Sequence, residues 1–430
     1  MAASFSITRV TALWGRLNSS FWFVPAVMAV VAVALSFLIV EVDALRDVSQ
    51  TDDPSTFYTV GPEGARAILS VIASSMITVA SLIFSITMLS LQLASSQFGP
   101  RVLGNFMRDR SNQIVLGTFI ATFLYCLFVL RSVRGTESSN FVPHLAVAFG
   151  VLLAAASVAV LIYFIHHIAT SIRVETLLEK LAVEGNAAVD RLFPERLGHG
   201  PENDADEKAL QQPPDDFDSG SRQIEADSGG YVQSIGVDVL MRIAAEHDLF
   251  LRIDAPPGQF VTDGACVITA YPRDRVSDEI DEDLRGAVVI GRDRTPYQDI
   301  EFAIRRIVEL AQRSLSSGIN DPTTALYCID RLGEVLGRLA GRKFPSAMRL
   351  DERGQLRVLT EVVALEDLAC SAFAAIARYG ITDVDVVDRL AETLAKLGTS
   401  FPPVAHNTIA DFRKQVLSAS RGAITHEFDL

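Results

Sequence analysis

The sequence predicts an α-helical membrane protein: four transmembrane helices, then a cytosolic α+β region made of a small β-containing subdomain and a C-terminal helical bundle. Three observations predict it. Four runs without a charged residue fall within residues 1–170, each of a length to cross a hydrocarbon core of about 30 Å at 1.5 Å per residue. Short apolar stretches broken by Gly and Pro fill residues 230–291, the pattern of strands and turns. Amphipathic stretches bounded by cap residues fill residues 292–430.

The first run is Phe21–Val40, preceded by Arg9 and Arg16. Ala32-Val33-Ala34 loosely resembles a cleavage site, but the apolar run continues past it, so the segment reads as an uncleaved span. Trp14, Phe21, Trp22 and Phe23 are expected at headgroup level. The second run, Ala67–Leu93, is longer than a crossing needs and should tilt or protrude. The third is Ile114–Leu130 and the fourth Leu145–Ile168. Arg9, Arg16, Arg101, Arg108, Arg110, Arg173 and Lys180 lie on one side of these spans. The first intervening loop is acidic, with Glu41, Asp43, Asp47, Asp52, Asp53 and Glu63 against Arg46 and Arg66. This balance places both termini in the cytoplasm of a bacterial inner membrane.

The second span carries the most informative pattern. Ser70, Ser74, Thr78, Ser81, Ser85 and Gln92 fall within about 40° of one line at 100° per residue. Two explanations stand: close packing inside the bundle, which carries more weight, and the lining of a wetted path through an oligomer. In the fourth span, Ala146, Gly150 and Ala154 form a close-packing face. His166 and His167 end that span; neighbouring helical residues point about 100° apart, so a shared metal is not expected. Gly99-Pro100 breaks the second helix, and Val102, Leu103, Phe106 and Met107 oppose Arg101 and Arg108. A short helix at the membrane surface follows, with Arg110 beyond its end.

Four domains are expected: the spans (1–170), a helix with an acidic flexible linker (171–229), a barrel-sandwich-like subdomain (230–291) and a helical domain (292–430). Pro257-Gly258-Gln259-Phe260-Val261-Thr262-Asp263-Gly264 resembles the turn of lipoyl-type carrier domains. No lysine lies between Tyr231 and Gly291, which excludes carrier chemistry. Thr295 with Pro296 is read as a helix start, as is Asp321 with Pro322. Later helices are expected over Gln355–Arg378, Val384–Leu397 and Val404–Ser418.

The net charge of −14 disfavours nucleic acid. Cys126, Cys266, Cys328 and Cys370 are widely spaced, which argues against a disulfide framework or zinc site. Gln298, Asp299, Glu301, Asn320 and Asp321 form a polar cluster in the helical region, with Arg305, Arg306 and Arg331 nearby. No phosphate loop, HExxH or GxSxG accompanies them, so no enzyme, no metal and no cofactor are expected.

Three stretches carry a family resemblance. They are Ser90–Arg101 (SLQLASSQFGPR) with Asn105–Asp109, Arg294–Phe302 (RTPYQDIEF), and Ser317–Ala325 (SGINDPTTA). On them the chain resembles the bacterial membrane proteins grouped as domain of unknown function 2254. The resemblance implies a four-span membrane domain with a soluble C-terminal region and supplies no activity. The functional expectation therefore rests on physics: a homo-oligomeric channel in the bilayer lined by the second span. The alternative is a membrane-anchored regulator or scaffold whose cytosolic domain binds a partner.

Overall fold

The computed structural model describes residues 21–47, 61–98, 109–136, 139–171, 173–193, 216–342, 346–361 and 363–428. The expected surface helix with Arg101 and Arg108 lies outside these residues, as does Trp14. The chain divides into two compact units, residues 1–173 and 174–430.

The first unit contains α1 (Phe23–Asp47), α2 (Pro62–Phe98), α3 (Arg110–Ser132) and α4 (His144–Ser171). A hairpin of β1 (Arg134–Thr136) and β2 (Ser139–Phe141) links α3 to α4. All four helices are long and apolar enough to cross a membrane, where the charge-free runs place them. Half of the apolar window of α3 is buried, against 17%, 28% and 22% for α1, α2 and α4. The third helix is therefore the core element, and the others pack around it.

Small residues permit the close approaches. A Cβ on Gly117 would lie 2.6 Å from Met28 Sδ and 3.2 Å from Pro25 Cα, so α1 meets α3 almost backbone to side chain. Ala146, Gly150 and Ser157 are buried on α4, and Gly150 faces Leu69, Cys126 and Tyr125. The expected small-residue face thus packs inward. Of the aromatic residues expected at headgroup level, Phe21 instead joins the apolar core, while Trp22 stays exposed.

Asp43 departs from its reading as a solvated loop charge. It is buried at the end of α1, where its carboxylate accepts from the amides of Leu145 (3.2 Å) and Ala146 (2.9 Å). Those amides belong to the first turn of α4, which has no carbonyls of its own to bond them. A carboxylate there also complements the positive end of the helix dipole. Tyr125 Oη donates to the Ala146 carbonyl beside it (3.0 Å), and Arg66 donates to the Val133 carbonyl.

The second unit opens with α5 (Val174–Leu192). Next come α6 (Phe217–Gly220), β3 (Arg222–Glu225), β4 (Gly230–Ile235), α7 (Val237–Glu246), β5 (Phe250–Ile253), β6 (Phe260–Val261), β7 (Cys266–Tyr271), α8 (Asp278–Gly286) and β8 (Val288–Gly291). Then follow α9 (Ile300–Ser314), α10 (Pro322–Ala340), β9 (Met348–Leu350), β10 (Leu356–Leu359), α11 (Leu365–Gly380), α12 (Val384–Ser400) and α13 (Pro403–Phe428).

The strands form two sheets, ordered β3-β7-β5-β10-β9 and β6-β4-β8. Leu240, Leu249, Leu251, Ile268, Leu284 and Val358 share one core beneath them, contributed by both sheet and helix residues. Gly258 and Gly264 take φ of +94° and +76°, as the carrier-like turn requires. The parallel pairing of β5 with β10 and the intervening α7 and α8 depart from a barrel-sandwich of hairpins.

Two boundaries move. The expected linker to residue 229 already contains α6 and β3, because Ile224 is fully buried and β3 pairs with β7. The expected helix from Gln355 begins at Leu365, because Leu356–Leu359 inserts beside β5.

The remaining helices, α5 and α9 to α13, pack on one another. The first of them is held on α9 and α10: Gly185 lies against Val335, Glu184 pairs with Arg306, and Asp190 bonds Arg338 and Arg342.

Candidate functional site

The hydroxyl face of α2 does not pack inside the bundle. Ser70, Ser74, Thr78, Ser81, Ser85 and Gln92 are all exposed. The buried face of the helix is Ala65, Leu69, Ala73, Met76, Ala80, Ile83, Thr87 and Ala94. At 100° per residue the centres of these two faces lie about 145° apart. Packing within a single chain, the weightier of the two expectations, therefore does not explain the stripe. The α2 residues that pack within the unit are mostly small or aliphatic.

Four hydroxyls on that face are paired. Ser74 donates to the Val71 carbonyl (3.1 Å), Thr78 to Ser74 (2.8 Å), Ser81 to Ile77 (3.0 Å) and Ser85 to Ser81 (2.9 Å). Each donor is satisfied on its own helix, which removes most of the cost of facing an apolar medium. The oxygen lone pairs still face outward and can accept. Exposed Met88 interrupts the stripe between Ser85 and Gln92.

A polar group joins α3 to α4 that the sequence reading did not assemble. Asp109 caps α3 by accepting from the Ser111 amide (2.9 Å), and its other oxygen lies 3.0 Å from His167 Nε2. Tyr163 stacks on the His167 ring and its hydroxyl lies 3.1 Å from Ser111 Oγ. His167 is thus an interhelical partner, and no metal-holding group of His, Cys, Asp or Glu occurs among the described residues. Exposed Arg110 begins α3, in its first turn. The signal that could have found this group is the pairing of a cap aspartate with a histidine ending the next span.

The polar cluster of the second unit splits in two. Asp299, rather than Thr295, caps α9: one oxygen accepts from the Phe302 amide (2.9 Å) and the other from Arg294 Nε (2.8 Å). Arg294 also reaches Glu301 (3.3 Å). Burial opposes the Arg294 charge, but the carboxylates of Asp299 and Glu301 outweigh it and raise the guanidinium pKa. Gln298 pairs with both the amide (2.8 Å) and carbonyl (3.1 Å) of Ile235, as a neighbouring strand would. Arg191 donates to the carbonyls of Pro296 and Tyr297. Residues 296–298 are consequently held as a turn ahead of α9, which moves the helix start.

Asp321 caps α10, accepting from the Thr324 amide and hydroxyl, and its own amide donates to Ser314 at the far end of α9. A 15-residue helix is about 22 Å long, so Asn320 and Asp321 stand that far from Asp299. Asn320 holds a left-handed turn at φ +49°. Gln298, Asp299 and Glu301 come together; Asn320 and Asp321 do not join them.

A model of the family described as predicted membrane protein (DUF2254) matches residues 18–396. Uncharacterized protein Rv1290c of Mycobacterium tuberculosis (strain H37Rv) is 31% identical over 405 residues, 92% of this chain and 75% of the relative. Uncharacterized protein Mb1321c of Mycobacterium bovis matches with the same identity and coverage. No solved structure matches.

Proposed function

The chain belongs to the predicted membrane protein family DUF2254, and from that premise we propose that it is a homo-oligomeric pore of the bacterial inner membrane. In this reading α2 of each copy turns its hydroxyl face toward a shared axis. The observation that supports it is the outward position of the stripe: six polar positions lie opposite the packed face of an otherwise apolar helix. Oxygens at Ser70 to Ser85 would replace part of an ion's hydration shell. The spans carry few charged groups, and buried Asp43 is occupied as a helix cap, so the reading is of passive conduction rather than ion-coupled pumping. The Asp299 and Asp321 groups serve as caps in it, and no catalysis is assigned to them.

Purified full-length protein in planar bilayers should conduct, and Ser81→Leu should reduce the current by tenfold or more. A silent bilayer, or a monomeric mass in detergent by native mass spectrometry, overturns the proposal. The regulator alternative has support in the size of the second unit, which holds an apolar core of its own. It requires a protein partner that cross-links to residues 174–430 in membranes, and an intact current with no cross-linked partner counts against it.

A further inference from the structure

The second unit contains an open cavity of about 660 Å³ between the first turns of α7 and the β9–β10 hairpin. Four arginines line it, Arg242, Arg349, Arg353 and Arg357, within a chain whose net charge is −14. Arg357 is spoken for: it pairs with Asp351 (2.8 Å) and Asp248 (2.8 Å). Asp351 is fixed further by the amides of Arg353 and Gln355 (both 2.9 Å).

The other three arginines have no carboxylate partner among the described residues. Arg349 is partly buried and its guanidinium donates only to the Ser346 and Met348 carbonyls. Burial pushes its pKa down, the mark of a cation taken from water without a counter-charge. Arg242 and Arg353 are exposed at the cavity and make no ion pair. Asp238 and Glu352 line the same cavity as exposed carboxylates, and neither reaches an arginine.

A desolvated guanidinium is costly to hold without an anion, and its planar fork fits the oxygens of a phosphate. The N-terminal turn of α7 adds its helix-dipole end to the same wall, with no side chain capping it. Val237, Met241, Ala245 and Leu350 supply the apolar part of the lining. The volume is well above that of a lone phosphate and falls in the range of small-molecule sites, roughly 300–1,000 Å³. We propose that this cavity binds a phosphorylated small molecule of nucleotide size, with Arg242, Arg349 and Arg353 on its phosphates and the apolar wall against its body. The inference stands apart from the pore reading, because it uses no residue of the first unit.

The test is calorimetric titration of the purified full-length protein in detergent at fixed ionic strength, with ADP, inorganic pyrophosphate and adenosine as probes. ADP should bind, pyrophosphate should compete with it, and adenosine alone should be at least tenfold weaker. The double variant Arg242→Gln/Arg353→Gln changes two exposed side chains and keeps the fold; it should weaken ADP at least tenfold. Arg349→Gln should do the same, and Arg378→Gln, an exposed arginine on α11, should not. Absent binding of both ADP and pyrophosphate overturns the proposal. So does binding that survives the double variant, or binding lost equally in Arg378→Gln.

Discussion

Single residues fix geometry here more often than they carry chemistry. Gly258 combines a left-handed φ with a neighbour that leaves no room: an added Cβ would lie 2.2 Å from Asp299 Oδ2. Gly258→Ala should therefore cost at least about 2 kcal/mol, from backbone strain plus displacement of a capping carboxylate, read as a lower thermal midpoint of the full chain. The thiols are inert by position. Burial pushes Cys328 and Cys370 up, and Cys266 also rises by burial, with Asp254 adding to it. Labelling by a neutral thiol reagent should be slow for these three until the protein is unfolded, with Cys328 last. Hydrogen bonds from Arg357 and then Arg275 hold the Asp248 carboxyl below the usual carboxylate range. A lowered folded pKa gives stability that is fully present above the unfolded value near 4 and is lost as pH falls below it and through the lower folded value. Acid unfolding of the second unit should thus flatten in Asp248→Asn, measured by tryptophan-independent circular dichroism between about pH 5 and 2. The cap at Asp321 was legible because Asp before Pro and a helical period has one local meaning. Asp299 was not, since Thr295-Pro296 mimics the same signal and the override comes from Arg191 and Ile235, distant in sequence.

At the level of elements, the spans were legible from length and charge alone, because lipid excludes every competing form but the helix or closed barrel. Which face of α2 packs was less legible. Alanines alternate with larger aliphatic residues on the buried side, and nothing in a single helix says which stripe meets its neighbours. The two faces can be told apart by substitution. Ala80→Leu on the buried face should cost about 1–3 kcal/mol by overpacking, seen as SDS-induced unfolding at lower detergent fraction. Ser74→Ala on the outward face removes only a hydroxyl bonded to its own helix and should leave that midpoint within about 0.5 kcal/mol. The link between α1 and α4 is testable in the same assay. Asp43→Ala strips the acceptors from Leu145 and Ala146 and should cost roughly 1–2 kcal/mol. Strands β9 and β10 were missed because Arg349 to Leu359 offers only two short apolar stretches around a Gly354 turn. The partner of β10 inside the sheet, β5, lies about a hundred residues earlier, where no local pattern reaches.

For the whole molecule, the arginine balance of the loops is the basis for placing both ends in the cytoplasm. A fluorescent protein fused after Leu430 that matures only in the cytoplasm should be bright, and a periplasm-dependent phosphatase inserted at residue 55 should be active. The reverse pattern of signals would invert the proposed orientation. The order β3-β7-β5-β10-β9 has its own bearing on how the chain is made and how it can be cut. During synthesis β5 emerges long before β10 exists to cover its edge. At roughly 5–20 residues per second the open edge persists for roughly 5–20 s. An exposed edge of Phe250-Leu251-Arg252-Ile253 is a template for another chain during that interval. A gene fragment ending at residue 291, where strand signals stop in the sequence, would leave that edge open for good and should yield aggregates. One continuing through Leu359 closes it, so the shortest soluble piece of the sheet is set by a hairpin that the linear pattern assigns to another domain.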